Sequence, residues 1–225
     1  MLLTLMVGLF SGCSQNRQSS SEQVIKIGIF EPFTGKNASG GKQEALGIDY
    51  ANFLQPTVTI NGTTYQVELV LSDNESSKEK APTAATTLVE HDVAVVLGSY
   101  GSDESLAGSS VFETAGIPVV GVNCTTPAIT ADNEHYFRIC WLDTFQGSVL
   151  ANFATEHLQA TNVYCLAEKE DNYSAGLCTY FIEVFTALGG TVTYETYPAG
   201  TTDFTPYIRA AQREGAEIFF APRSF

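Results

Sequence analysis

An α/β architecture is predicted for this chain: two lobes, each a doubly wound parallel sheet, the second of them incomplete. Short β-branched or apolar runs alternate with helix-period stretches from Val24 onward. Those runs are apolar throughout, as strands buried on both faces are. The alternation then restarts after a crossing segment at residues 136–141. Parallel neighbours need a crossover between them, and right-handed crossovers lay one helix on the sheet for each strand.

In the first lobe, residues 24–142, strands are expected at 25–30, 67–71, 93–97 and 117–122, each bounded by Gly, Pro, Asp or Asn. Leu46, Tyr50, Phe53 and Leu54 fall at i, i+4, i+7 and i+8, which predicts a helix with that stripe turned to the core. Ala81, Ala84, Ala85, Leu88 and Val89 repeat the stripe, with Pro82 early in the helix, where a missing N–H costs little. A third helix opens after Ser102, and Asp103 and Glu104 occupy the first turn that the macrodipole favours for acids.

The second lobe, residues 143–225, starts with a helix over 144–159 that has Val149, Leu150 and Phe153 inward. A strand at 163–167 follows, then a helix at 174–188 with the stripe Leu177, Phe181, Val184 and Leu188, stopped by Gly189 and Gly190. A strand at 192–197, a helix at 204–214 and a strand at 218–221 complete the pattern. The sequence stops at "APRSF" with no helix to cover that last strand, so the chain is expected to be a fragment. A bare sheet face would exceed the roughly few hundred Å² of contiguous apolar surface tolerated on soluble monomers.

The N-terminus is read separately. Residues 1–10 are apolar but too short for the ~20 residues that span a bilayer, and Ser11, Gly12 and Cys13 follow at once, which reads as a signal peptide over 1–12. "LFSGC" resembles a bacterial lipobox with Cys13 as the lipidated residue. Residues 13–23 then form a polar tether, with a contour of about 35 Å at ~3.3 Å per residue. The chain is therefore expected to be an extracytoplasmic lipoprotein anchored to the membrane. Its formal net charge of −14 argues against nucleic acid as a partner and against docking on anionic lipid through a basic patch. The remaining cysteines, Cys124, Cys140, Cys165 and Cys178, have no metal-site spacing and no disulfide framework is read from them, although a Cys165–Cys178 bridge stays open.

In open α/β sheets the ligand crevice lies outside the carboxyl ends of the strands. Four loops therefore matter: "EPFTGKNASGG", "GSYGSDES", "VNCTTPAIT" and "EKEDNYSAG". The second leads into a helix N-terminus, where unpaired N–H groups and the dipole favour an anion; the plainer alternative is that Ser102 only caps that helix. Enzyme chemistry finds little support. His91, His135 and His157 share no ligand spacing, no G-x-G-x-x-G follows the first strand, and no P-loop is present. "GSYGS" has Tyr100 where a nucleophilic serine would stand. No cofactor, metal or catalysis is expected.

The succession "IKIGIFEPFTG", "AVVLGSYGS", "GIPVVGVNCTTPAIT", "YFRI", "DNYSAGL" and "YPAGTTDFTPYI" resembles the type I periplasmic amino-acid receptors of the leucine/isoleucine/valine-binding kind, the substrate-binding components of ABC importers. The likeness runs over nearly all of residues 24–225. It implies that Ser102 and Thr125 hold a ligand α-carboxylate, that the Asn123 carbonyl meets its ammonium, and that Tyr173 closes over it from the second lobe. Tyr100 and Cys124 would flank the ligand. Ser39 stands where many relatives carry an aromatic residue, and the acid that usually meets the ammonium would come after Phe225, so side-chain selectivity stays open. Delivery to an ABC permease is the implied role, with an extracytoplasmic sensory domain as the alternative.

Overall fold

The computed structural model describes residues 23–223. The signal peptide, Cys13 and nearly all of the tether lie outside the described residues. The chain opens with β1 (Val24–Glu31), α1 (Ala38–Leu54) and a pair of strands, β2 (Thr57–Ile60) and β3 (Thr63–Asp73). β2 is absent from the expected element order. It pairs antiparallel with β3 across Asn61 and Gly62, both at positive φ, the two-residue turn that suits the twist of a hairpin. The Asn-Gly dipeptide was its signal.

α2 (Ala81–Glu90), β4 (Val95–Gly98), α3 (Ser102–Ala115), β5 (Val119–Gly121), the short α4 (Ala128–Ala131) and β6 (Tyr136–Arg138) complete a six-stranded sheet in the order β2-β3-β1-β4-β5-β6. Every neighbour pair but the hairpin is parallel. α2 and α3 pack on one face, where Ala81, Ala85, Leu88 and Phe112 meet Phe30 and Val96.

α1 lies on the opposite face and corrects one expectation. Leu46 and Phe53 are 68% and 78% exposed, and Tyr50 and Leu54 are exposed with them. The helix instead turns Gly41 and Ala45 inward, while Ile48 and Ala51 border a cavity of about 630 Å³ against Ile27 and Leu69 of the sheet. α1 carries apolar residues on two sides, and periodicity alone does not choose between them.

After β6 the chain crosses to the second lobe. α5 (Asp143–Asn152) runs on into a π-helical turn (Phe153–His157), followed by β7 (Asn162–Glu168), α6 (Asn172–Ala187), β8 (Thr191–Tyr197), α7 (Thr205–Arg213) and β9 (Ile218–Phe220). The three strands form a parallel sheet in the order β8-β7-β9. Val149, Leu150 and Phe153 are outward rather than inward; Gly147, Ala151 and Ala154 are the buried positions. Close helix contact requires this, because a Cβ on Gly147 would lie 2.7 Å from the Cβ of Tyr180 on α6.

Leu177 and Phe181 of α6 are buried as expected, Phe185 joins them, Val184 is partly buried, and Leu188 is exposed just after the helix. Phe181 stacks on both Phe185 and Phe220. α7 covers the other face through Ala211 against Tyr164, Leu166 and Tyr197. Cys124, Cys140, Cys165 and Cys178 are free thiols.

Candidate functional site

In the first sheet α1 leaves from one face and α2 and α3 from the other, so the strand order reverses between β1 and β4. A crevice opens at their carboxyl ends, where such sheets bind ligands. β4 ends on Gly98, whose φ of +115° and whose missing side chain are both needed: a Cβ there would meet the Phe30 carbonyl oxygen at 2.3 Å. The loop then turns over Glu31, whose Oε2 accepts from the Tyr100 N–H at 2.8 Å.

Glu31 is fully buried beside Glu44. Burial and then the neighbouring carboxylate push Glu31 up to about 10, and burial pushes Glu44 up to about 6. The pair thus holds a proton under the loop at neutral pH.

α3 starts at Ser102 with no side chain capping its first turn. That disfavours the plain capping role: Ser102 is 5% exposed, and its Oγ instead accepts from the Thr126 N–H at 3.4 Å. Thr125 is equally buried. Its Oγ1 has no hydrogen bond of acceptable geometry, although the Asp143 carboxylate is its neighbour.

Arg138 holds this loop from beneath, donating to the carbonyls of Cys124 and Thr126, both at 2.9 Å, and to Thr130 Oγ1 at 2.8 Å. Asp143, at the start of α5, is fully buried. Its N–H donates to the Thr125 carbonyl at 3.1 Å, and Oδ2 accepts from Thr126 Oγ1 at 3.2 Å. Burial raises its pKa against the pull of the two threonine hydroxyls.

These elements enclose a cavity of about 170 Å³ between the lobes. Tyr100, Ser102, Asn123 and Thr125 line it from the first lobe, and Gln146, Tyr173 and Arg223 from the second. Five of the six expected ligand-contact residues therefore converge. Cys124 does not. It is fully buried in the first-lobe core with its Sγ 4.0 Å from the Tyr136 hydroxyl, because successive residues of an extended segment face opposite ways and Gly121 leaves space for the sulfur. Ser39 sits exposed on the first turn of α1, away from the lining.

Gln146 and Arg223 were missed. Gln146 is on the first turns of the helix that follows the crossing segment, and Arg223 follows β9, so the strand-end rule that selected the other loops also applied to Arg223.

Polar contacts join the lobes around this cavity. Lys36 Nζ is 3.3 Å from Glu168 Oε1 and 3.9 Å from Asp171 Oδ1. Burial works against its charge, but Asp171 and Glu168 outweigh burial and hold the ammonium above its ordinary pKa. Asn172 donates through its N–H and Nδ2 to Asp103 Oδ1 at 3.3 and 2.5 Å. Among the described residues no cluster of His, Cys, Asp and Glu is arranged to hold a metal ion.

The family model described as periplasmic binding protein matches residues 24–221. A curated "Amino acid binding protein" of Pseudomonas aeruginosa is 30% identical over 223 residues, covering 97% of this chain and 58% of the relative. Among solved structures, the leucine binding protein LivK of Thermotoga maritima superposes with a TM-score of 0.83 at 33% identity, over 88% of this chain and 56% of that one. A solute binding protein of an ABC transporter from Rhodopseudomonas palustris, in complex with p-hydroxybenzoic acid, does so at 0.78 and 27% identity, over 90% and 55%. The chain spans a little over half the length of each of these. The two-lobe parallel architecture, the strand-end crevice and the match over residues 24–221 together make this chain a member of the periplasmic binding protein family.

Proposed function

We propose that the chain captures an amino acid or a similar small carboxylate between its lobes and is the extracytoplasmic substrate-binding component of an ABC importer, tethered through Cys13. The meeting of the buried Ser102 and Thr125 in the cavity between the lobes, at the uncapped start of α3, carries this reading. A ligand carboxylate placed there would accept from hydroxyl groups and meet the positive end of the helix. Tyr173 and Gln146 reach the same cavity from the other lobe, so a bound ligand touches both lobes and favours their closed arrangement. Binding and release suffice for this role, with no bond made or broken.

Residue roles follow from position. Ser102 and Thr125 take the ligand carboxylate, the Asn123 segment faces its ammonium, and Tyr100 and Tyr173 cover it. Isothermal titration of the full chain against the amino acids and small aromatic acids tests this. Ser102→Ala and Thr125→Ala are each expected to weaken binding by roughly tenfold or more, since a hydrogen bond to a charged group contributes about 1.5–3 kcal/mol. Binding unchanged in both variants would remove the carboxylate site.

A further inference from the structure

Among the described residues the cysteines fall into two neighbouring pairs, one in each lobe: Cys124 with Cys140, and Cys165 with Cys178. The second pair is fully buried in the core between β7 and α6. The first pair connects two functional segments. Cys124 lies between Asn123 and Thr125 on the loop after β5, and Cys140 stands where the chain leaves β6 for the second lobe.

β5 and β6 are parallel neighbours with Gly121 opposite Arg138, and the Ile139 N–H continues the ladder to the Gly121 carbonyl at 3.1 Å. That register carries Cys140 alongside Asn123 and Cys124. Its Sγ lies 3.5 Å from the Cys124 carbonyl oxygen, and the two thiols are hydrogen-bond partners. Paired strands run about 4.8 Å apart, so a one-residue offset leaves the Cα atoms within the roughly 4.4–6.8 Å that a disulfide spans. The proximity is built within one sheet, from residues 119–140.

We propose that Cys124 and Cys140 are a reactive dithiol that closes to a disulfide, pinning the Asn123–Thr125 loop to the segment that crosses between the lobes. The family is periplasmic, and disulfides form and persist in that compartment.

The two sulfurs are unequal. The hydrogen bond with Cys124, helped by the Arg138 charge and opposed by burial, lowers the Cys140 thiol to about 7. The same contact, and then burial, push the Cys124 thiol up. Cys140 is therefore the attacking thiolate, since exchange is fastest for a thiol whose pKa lies near ambient pH. It cleaves the S–S bond of a small disulfide, R–S–S–R, forming a mixed disulfide and releasing one R–S⁻. Cys124 then attacks the Cys140 sulfur and displaces the second R–S⁻. The released thiolates take up the two thiol protons, so the dithiol is oxidised and R–S–S–R is reduced to two R–SH.

The test is incubation of the reduced full chain with oxidised glutathione, followed by peptide mapping without reductant and by thermal melting. The parent is expected to yield a linked Cys124–Cys140 peptide. The bridge closes a loop of about 16 residues, so dithiothreitol should lower the parent's melting temperature by roughly 5–10 °C. Cys140→Ser, at a half-buried position, is expected to form no such bridge and to melt at one temperature with or without dithiothreitol. A parent without the linked peptide, a bridge from either residue to another cysteine, or glutathione that stays on Cys140 overturns the proposal. So does a parent melting temperature that dithiothreitol leaves unmoved, or moves equally in Cys140→Ser.

Discussion

The two lobes line the cavity between them with different kinds of group. The first presents main chain and short hydroxyls: Ser102, Thr125 and the loop that Arg138 and Glu31 hold from beneath. The second reaches across with long side chains, Tyr173, Gln146 and Arg223, from a smaller sheet whose core is stacked phenylalanine. A loop fixed by buried hydrogen bonds suits a group common to many ligands, whereas long side chains on a closing lobe suit the group that differs. Changes in the first lobe should accordingly alter affinity for all ligands, and changes in the second should alter which ligand is preferred.

The strongest challenge to treating the lobes as separate units is a core truncation in one of them. Phe181→Ala, at the centre of the second-lobe stack, is expected to cost about 3–5 kcal/mol. Amide hydrogen exchange should show lost protection in β7–β9 and α6 with β1 and β4 still protected. Equal loss in both lobes would show that they unfold as one. Next in size are Ser102→Ala and Thr125→Ala, which sharpen the comparison if they weaken every ligand by a similar factor in calorimetry; a factor that varies with the ligand side chain would assign selectivity to the first lobe as well.

The buried carboxyl pair predicts a pH effect confined to the first lobe. Glu31 and Glu44 have raised folded-state pKa values, so the native state holds extra protons and the stability that this pair contributes is fully present below the usual 4.5. That contribution is lost as pH rises above the usual 4.5, through about 6 for Glu44 and toward about 10 for Glu31. The slope is at most about 1.4 kcal/mol per pH unit for each extra proton held. Urea midpoints measured from pH 5 to 9 should decline in the parent and flatten in Glu31→Gln; an unchanged slope would show that Glu31 does not hold the proton.

The smallest effect concerns the contacts between lobes. Lys36→Ala removes a half-exposed ion pair of about 0.2–1 kcal/mol, so ligand affinity should drop no more than a few-fold and lose part of its salt dependence. A drop beyond tenfold would make Lys36 part of the recognition site rather than a closing contact.

Much of the scaffold was legible because strands and helix caps are written locally. The runs at β1, β4 and β7 are apolar and bounded, and Gly189 and Gly190 stop α6 as read. The hairpin strand β2 escaped because its alternation of Thr with Val and Ile is weak, although Asn61 and Gly62 announced the turn. The inward faces of α1 and α5 were misassigned for one reason: on both helices the bulky apolar residues are outside and Gly41, Ala45, Gly147 and Ala151 are inside. Small residues let a helix approach its neighbour closely, and a stripe of large ones says nothing about that approach. Cys124 lies between two lining residues in sequence but on the other side of the chain in space.

Sequence alone determined the alternation of strands and helices and the strand-end loops, since each depends on neighbours a few positions away; it was the family resemblance that singled out Ser102, Thr125 and Tyr173 within those loops. Only the tertiary structure decided which helix face is buried, that Gln146 and Arg223 join the cleft, and that Glu31 and Glu44 share a buried space. Those facts depend on the packing of segments far apart in the chain, where shape and desolvation, which no local pattern records, select among several locally acceptable arrangements.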